Sequence, residues 1–67
     1  MPFIHVHLTE GRSDEQKKKV AEAITDAMDK HMGAPREATS VIFSDVAPND
    51  WVVGGKTLAE RKKAAGS

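Results

Sequence analysis

The residues best suited to chemistry stand at the start of the chain, where Met1 and Pro2 precede the hydrophobic segment 3–8. Methionine aminopeptidase usually removes an initial methionine before a small residue or proline, so we expect Pro2 to carry a free secondary amine. A neutral amine in an apolar pocket is a general base. A proline can also simply begin an edge strand, where its missing N–H is not needed. Both interpretations of Pro2 are open at this point.

Length and composition restrict the class of protein. The 67 residues form one domain, 1–67, which is small enough to need an additional source of stability. Cysteine is absent, so disulfides are excluded and oligomerisation is the expected source. Ten basic and ten acidic residues give no net charge, which argues against nucleic-acid binding. We find neither a membrane-length apolar run nor a signal peptide, and we expect a cytoplasmic homo-oligomer without membrane contact.

The apolar pattern predicts a small α/β (α+β) domain built on one β-α-β unit. Residues 3–8 alternate between two faces, as in a strand with one apolar side. Ser13 and Gln16 have the spacing of a capping box that begins a helix, and Gly33 is its expected end. Residues 40–46 form a second strand, which a helical crossover makes parallel to the first.

The predicted helix has one apolar stripe and one charged face. The stripe consists of Val20, Ile24, Ala27, Met28 and His31. Lys17 is assigned to the charged face. A unit of this size leaves one sheet face and both sheet edges uncovered, so we expect two units to join edges and several such dimers to bury their open faces.

The last quarter of the chain is expected to form a hairpin and a tail. Residues 51–53 form a short strand that ends at Gly54 and Gly55, and we expect it to be half of a C-terminal hairpin that pairs with a neighbouring subunit. Residues 61–67 are basic or small, and we expect them to form a frayed, flexible tail.

Three segments resemble the 4-oxalocrotonate tautomerase family, the short-chain branch of the tautomerase superfamily. The most specific is segment 8–17, Leu-Thr-Glu-Gly-Arg-Ser-Asp-Glu-Gln-Lys, which resembles the family's LEGRSDEQK segment after a strand that begins with proline. Segments 33–35 and 51–56 resemble later landmarks of the family. The resemblance extends from Pro2 to about Leu58.

The resemblance implies a cofactor-free keto–enol tautomerase that assembles as a hexamer, with a dimer as the smaller alternative. Pro2 would transfer a proton between an enol oxygen and a carbon of a small 2-hydroxy-unsaturated acid, such as 2-hydroxymuconate or an enol-pyruvate. Arg12 matches the arginine that binds a substrate carboxylate. Trp51 matches an aromatic residue that forms the apolar wall of the substrate pocket. A large aromatic residue is equally common at a contact between subunits. Family members often act in the degradation of aromatic compounds.

The sequence departs from the family pattern at two positions. Ser40 stands where well-known members carry a second arginine. The absence of this arginine disfavours turnover of a dicarboxylate. Ser40 is either the first residue of a strand or a substrate contact, and Arg36 is the nearby cation that could substitute for the arginine. Val53 stands where dehalogenase relatives carry an acid that activates water, so hydratase or dehalogenase chemistry is the weaker alternative.

The proposed roles have a physical basis and one competing hypothesis. Burial and a nearby cation such as Arg12 lower the pKa of an amine, which favours the neutral base at Pro2. His5 and His7 share a strand face, but no third ligand has suitable spacing, so we expect no metal site. The competing hypothesis is a non-catalytic oligomeric module of the same fold. Retention of Met1 would favour it, because the Pro2 nitrogen would then be a non-basic amide.

Overall fold

A computed structural model describes the backbone of residues 2–66 and the side chains of residues 2–63. The elements are, in order, β1 (Phe3–Thr9), α1 (Asp14–Met32), a 3-10 turn (Arg36–Ala38), β2 (Ser40–Val46), a second 3-10 turn (Pro48–Asp50), β3 (Val52–Val53), β4 (Lys56–Thr57) and α2 (Leu58–Gly66). The first strand, helix and second strand form the predicted β-α-β unit. The α/β (α+β) prediction is therefore confirmed.

Strands β1 and β2 pair in parallel over seven residue pairs, from Phe3 beside Ser40 to Thr9 beside Val46. Paired residues of a parallel ladder project from the same side of the sheet, so the register assigns each residue to one of two faces. The covered face lies under α1 and carries Ile4, Val6, Leu8, Val41, Phe43 and Asp45. The open face carries Phe3, His5, His7, Ser40, Ile42 and Ser44.

Helix α1 begins and ends as the sequence predicts. The Ser13 hydroxyl accepts a hydrogen bond from the Gln16 N–H at 3.1 Å, and the Gln16 side chain accepts one from the Ser13 N–H at 2.9 Å. This reciprocal pair is a capping box. At the other end Gly33 adopts a left-handed φ of 66°, and its N–H donates to the Asp29 carbonyl at 3.0 Å.

The side of α1 that packs on the sheet differs from the predicted stripe. Its half-buried residues are Lys17, Ala21, Ile24, Thr25 and Met28. Ala27 and His31 are exposed, and Val20 keeps 48% of its surface accessible. On the packed side Lys17 reaches a carboxylate of β2, so its charge is paired where the prediction expected solvent.

Strands β3 and β4 form an antiparallel hairpin within the chain, with Val52 beside Thr57 and Val53 beside Lys56. The turn consists of Gly54 and Gly55, with φ values of 62° and 83°. Two consecutive positive φ values define the tight turn that suits a two-residue hairpin. The predicted C-terminal hairpin is therefore confirmed, and its pairing with a neighbouring subunit stays a prediction.

Residues 61–66 are helical, because α2 continues through Gly66, and the flexibility expected of this tail stays a prediction. The Thr57 hydroxyl accepts from the Glu60 N–H at 3.1 Å, and the Glu60 carboxylate accepts from the Thr57 N–H at 3.3 Å. This second capping box begins the helix, and the alanine and basic residues that follow are good helix formers. Ser67 lies outside the described residues.

A single chain has very little interior. None of the described side chains is fully buried, and the accessible area is 5172 Å². A compact protein of 7.3 kDa exposes about 4,200 Å². The radius of gyration is 15.4 Å, against roughly 11 Å for a compact domain of this length. The isolated chain therefore buries less apolar surface than an independent domain of its size.

Neither helix in the described part of the chain combines the length and apolar character that a membrane span requires.

We predict that Ser13→Ala lowers the free energy of unfolding by about 1 kcal/mol, because the substitution removes the hydroxyl that caps α1. Denaturant titration at one fixed protein concentration measures the change. Lys18→Ala is the control, since Lys18 is exposed on the same helix and should change stability by less than about 0.5 kcal/mol. Equal losses in the two variants would contradict a capping role for Ser13.

Candidate functional site

Pro2 and Ser40 lie together at the first end of the parallel sheet. The Ser40 N–H donates a hydrogen bond to the Pro2 carbonyl at 3.0 Å, and Ser40 pairs with Phe3. Pro2 is half-buried in a single chain. The backbone of Pro2 is thus fixed by β2, and a neutral hydroxyl group is its neighbour across the ladder.

Arg12 lies beyond the opposite end of β1. The seven residues of β1 separate the two positions, and at about 3.3 Å per residue this strand is roughly 20 Å long. Gly11, with a φ of 116°, then turns the chain toward the start of α1. Within one chain, therefore, Pro2 and Arg12 do not reach the same small molecule.

A groove of about 150 Å³ opens beside Arg12, between the covered face of the sheet and the first turns of α1. Its apolar lining consists of Val6, Leu8, Val20 and Phe43, and its polar lining of Arg12, Gln16 and Lys17. A cavity of this volume lined by aliphatic and aromatic side chains is large enough for a benzene ring. The groove thus combines an apolar floor with cations at its rim.

The two cations of the groove differ in their partners. The Lys17 ammonium pairs with the Asp45 carboxylate at 2.7 Å, and only 19% of the Lys17 side chain is exposed. The Arg12 guanidinium makes no ion pair or side-chain hydrogen bond with any described residue. Arg12 is therefore the cation of the groove that is available to a ligand, and a guanidinium pairs with a carboxylate through two parallel hydrogen bonds.

Arg36 is engaged on the outer side of α1. Its guanidinium donates a hydrogen bond to the Asp26 carboxylate, and this bond and the Asp26 charge raise the pKa of Arg36. The charges of Asp29 and Glu22 add to the effect. The structure therefore directs Arg36 to the carboxylates of α1, and it does not bring Arg36 to Ser40.

Trp51 belongs to the hairpin region and is not part of the groove lining. It is half-buried, and its carbonyl accepts a hydrogen bond from the Leu58 N–H at 2.8 Å, which joins the base of the hairpin to α2. The adjacent Val52 and Val53 are 57% and 43% exposed. Within one chain Trp51 forms no wall of the groove, and both predicted roles require a second copy.

The open face carries a second cluster of ionisable side chains. The His5 and His7 rings stack with their centroids 4.1 Å apart, and His5 Nε2 shares a hydrogen bond of 2.6 Å with the Ser44 hydroxyl. Phe3 meets the His5 ring edge-on at 6.5 Å. Among residues 2–63, no three histidine or acidic side chains come together as metal ligands.

Comparison with known proteins places this arrangement in a family. The family model for the tautomerase enzymes matches residues 2–61, which begin at Pro2 and include both strands of the parallel sheet. The chain belongs to the tautomerase family. A probable tautomerase of Bacillus cereus is 41% identical over 61 residues, which cover 91% of this chain and 100% of the relative.

Solved tautomerase structures share the whole fold. TomN, a 4-oxalocrotonate tautomerase homologue of the tomaymycin biosynthetic pathway, is 41% identical with a TM-score of 0.88, and the match covers 98% of this chain and 100% of TomN. A heterohexamer 4-oxalocrotonate tautomerase from Chloroflexus aurantiacus is 35% identical with a TM-score of 0.83, over 90% of this chain and 97% of that one. The predicted family and enzyme class are confirmed, and the roles of individual site residues stay predictions.

Sequence reasoning missed the pairing of Lys17 with Asp45. Lys17, Ala21, Ile24 and Met28 are spaced by three or four residues, so the helical period places Lys17 on the packed side. Because lysine is usually exposed, the prediction assigned Lys17 to the solvent-facing side of the helix on the basis of its charge. The helical spacing was therefore the signal that could have identified the pair.

We predict that Lys17 and Asp45 are energetically coupled by about 0.5–1 kcal/mol, since the ion pair is close and partly shielded from water. A double-mutant cycle with Lys17→Ala and Asp45→Ala, followed by denaturant titration, measures the coupling. The exposed pair Lys19 and Glu15, 3.7 Å apart, serves as the control with a smaller coupling. Strictly additive effects at Lys17 and Asp45 would contradict the prediction.

Proposed function

We propose that this tautomerase is a cofactor-free keto–enol isomerase of small 2-hydroxy-unsaturated acids, with Pro2 as the general acid/base. The observation that carries the proposal is the position of Pro2. It begins the matched segment 2–61, is half-buried, and is held at the end of the sheet by the 3.0 Å hydrogen bond from Ser40. With Met1 removed, this residue offers a secondary amine at a fixed position.

The reaction requires one group that is neutral before proton transfer and cationic after it. The Pro2 nitrogen accepts the proton of the 2-hydroxyl group, the oxygen becomes a carbonyl, and the π electron pair of the enol moves to C3 or, through a conjugated double bond, to C5. The Pro2 ammonium then gives the proton to the carbon that received the electron pair. Composition is unchanged, and one group serves as base and then as acid. Arg12 holds the substrate carboxylate during both steps.

The site must be shared between copies of the chain. A small acid does not span the roughly 20 Å length of β1 that separates Pro2 from Arg12, so the two residues that act on one substrate come from different copies. The limited interior of a single chain also favours assembly. We propose a homohexamer, with a dimer as the smallest assembly that shares the site. The heterohexameric relative from Chloroflexus aurantiacus supports this stoichiometry.

We propose that the open face is a contact between copies. It carries Phe3 and Ile42, which are 62% and 44% exposed in a single chain. Apolar residues on one side of a two-stranded sheet are a common feature of a contact surface. Burial of this side would supply the interior that the isolated chain lacks.

We predict that Pro2→Ala lowers kcat/KM for an enol acid by about 10²- to 10⁴-fold, the range for loss of a positioned acid or base. Absorbance of 2-hydroxymuconate and of a phenyl-substituted enol-pyruvate follows the reaction, on protein whose N-terminus is verified by intact mass. Size-exclusion chromatography should show an unchanged assembly.

A matched preparation keeps one extra residue before Pro2, so that the proline nitrogen is an amide. We expect this form to be assembled and inactive. Wild-type activity in either the Pro2→Ala variant or the extended form would overturn the role of Pro2 and favour the non-catalytic alternative.

We predict that Ile42→Glu shifts the assembly toward smaller species, because a carboxylate on the open face would be buried without a partner. Native mass spectrometry and analytical ultracentrifugation measure the shift, and Ile42→Val is the conservative control. An intact assembly in the Ile42→Glu variant would show that the open face is not a contact.

A further inference from the structure

The number of available cations near the proposed site is small. Ser40, whose backbone N–H bonds the Pro2 carbonyl, carries no charge, and Lys17 is paired with Asp45 at 2.7 Å. Arg36 is held by Asp26, and two further carboxylates raise its pKa. Among the candidate binding cations, Arg12 alone has no partner in the described part of the chain. Each chain therefore contributes one available cation from this candidate set.

The surroundings of Arg12 favour an uncharged group next to the bound carboxylate. The floor of the groove consists of Val6, Leu8, Val20 and Phe43, and its volume is about 150 Å³. A phenyl ring fits a cavity of this size. A second carboxylate in the same place would lose its hydration without gaining a counter-ion, which is costly.

We propose that this tautomerase selects enol acids that carry one carboxylate and an apolar or aromatic tail, in preference to dicarboxylates. This selectivity rests on the proposed function. The carboxylate binds Arg12, the tail occupies the groove beside it, and the enol oxygen faces Pro2 of another copy. Ser40 is then a specificity-determining residue, because an arginine at this position would supply the second cation that a dicarboxylate requires.

The test compares kcat/KM for 2-hydroxy-3-phenylprop-2-enoate, 2-hydroxypenta-2,4-dienoate and 2-hydroxymuconate on verified Met-free protein. We expect kcat/KM for the two monocarboxylates to exceed that for 2-hydroxymuconate by at least about tenfold, the ratio that corresponds to 1.4 kcal/mol. A ratio of one or below would overturn the proposal.

Two variants test separately the effect of a second cation at position 40 and the effect of the groove volume. Ser40→Arg should raise kcat/KM for 2-hydroxymuconate relative to that for the pentadienoate about tenfold. Val20→Phe narrows the groove and should lower kcat/KM for the phenyl substrate relative to that for the pentadienoate about tenfold. Val20 is 48% exposed, so the larger side chain is compatible with folding. Lys30→Ala, an exposed change elsewhere on α1, is the control.

A binding measurement tests the selectivity even if none of the three enol acids is turned over. Calorimetric titration with cinnamate and with cis,cis-muconate compares one aryl monocarboxylate with one dicarboxylate, neither of which requires proton transfer. Tighter binding of cinnamate, lost in Arg12→Ala, supports the selectivity even without turnover. Tighter binding of muconate overturns it. Turnover that survives Pro2→Ala would instead overturn the proposed function and leave the binding preference to be judged by calorimetry.

Discussion

The parallel pairing of β1 with β2 determines where Pro2, Ser40 and the groove beside Arg12 lie. Its backbone hydrogen bonds tie Pro2 to Ser40 at one end and set Leu8 beside Asp45 near the other. The same register separates the covered face from the open face, because paired residues share a side of the sheet. The groove beside Arg12 and the stacked histidines are therefore products of one ladder.

This ladder also imposes a constraint on stability. One helix over two strands covers only one side of the sheet, and the hairpin and α2 do not supply a second layer over the other side. The chain has no disulfide to offset the lost interior. Folding nevertheless costs the conformational entropy of every residue that becomes ordered, including those that bury little apolar surface. In the proposed assembly folding and association are coupled, and the conditions that weaken one would weaken the other.

Elements that depend on local signals were predictable from the sequence, whereas long-range contacts were not predictable. The capping box at Ser13 and the glycine end of α1 depend on residues within four positions of each other, and both were predicted correctly. The pairing of Lys17 with Asp45 joins residues 28 positions apart and depends on how the helix is rotated. Helix α2 was not predicted although its signal is local. The sequence contains the capping box that begins at Thr57, but the interpretation followed the basic composition of the last residues. The candidate site was predictable only as a set of residues, because in the proposed function its geometry involves more than one chain.

The length of β1 has a genetic consequence. If the strand keeps Pro2 and Arg12 of one chain in different sites, a chain defective at one position still contributes a sound residue to its neighbour's site. Two alleles, each inactive alone, would then restore part of the activity when their products assemble together. In such mixed assemblies some sites receive both defects and others receive neither, so a single strand's length sets the pattern of complementation between mutants.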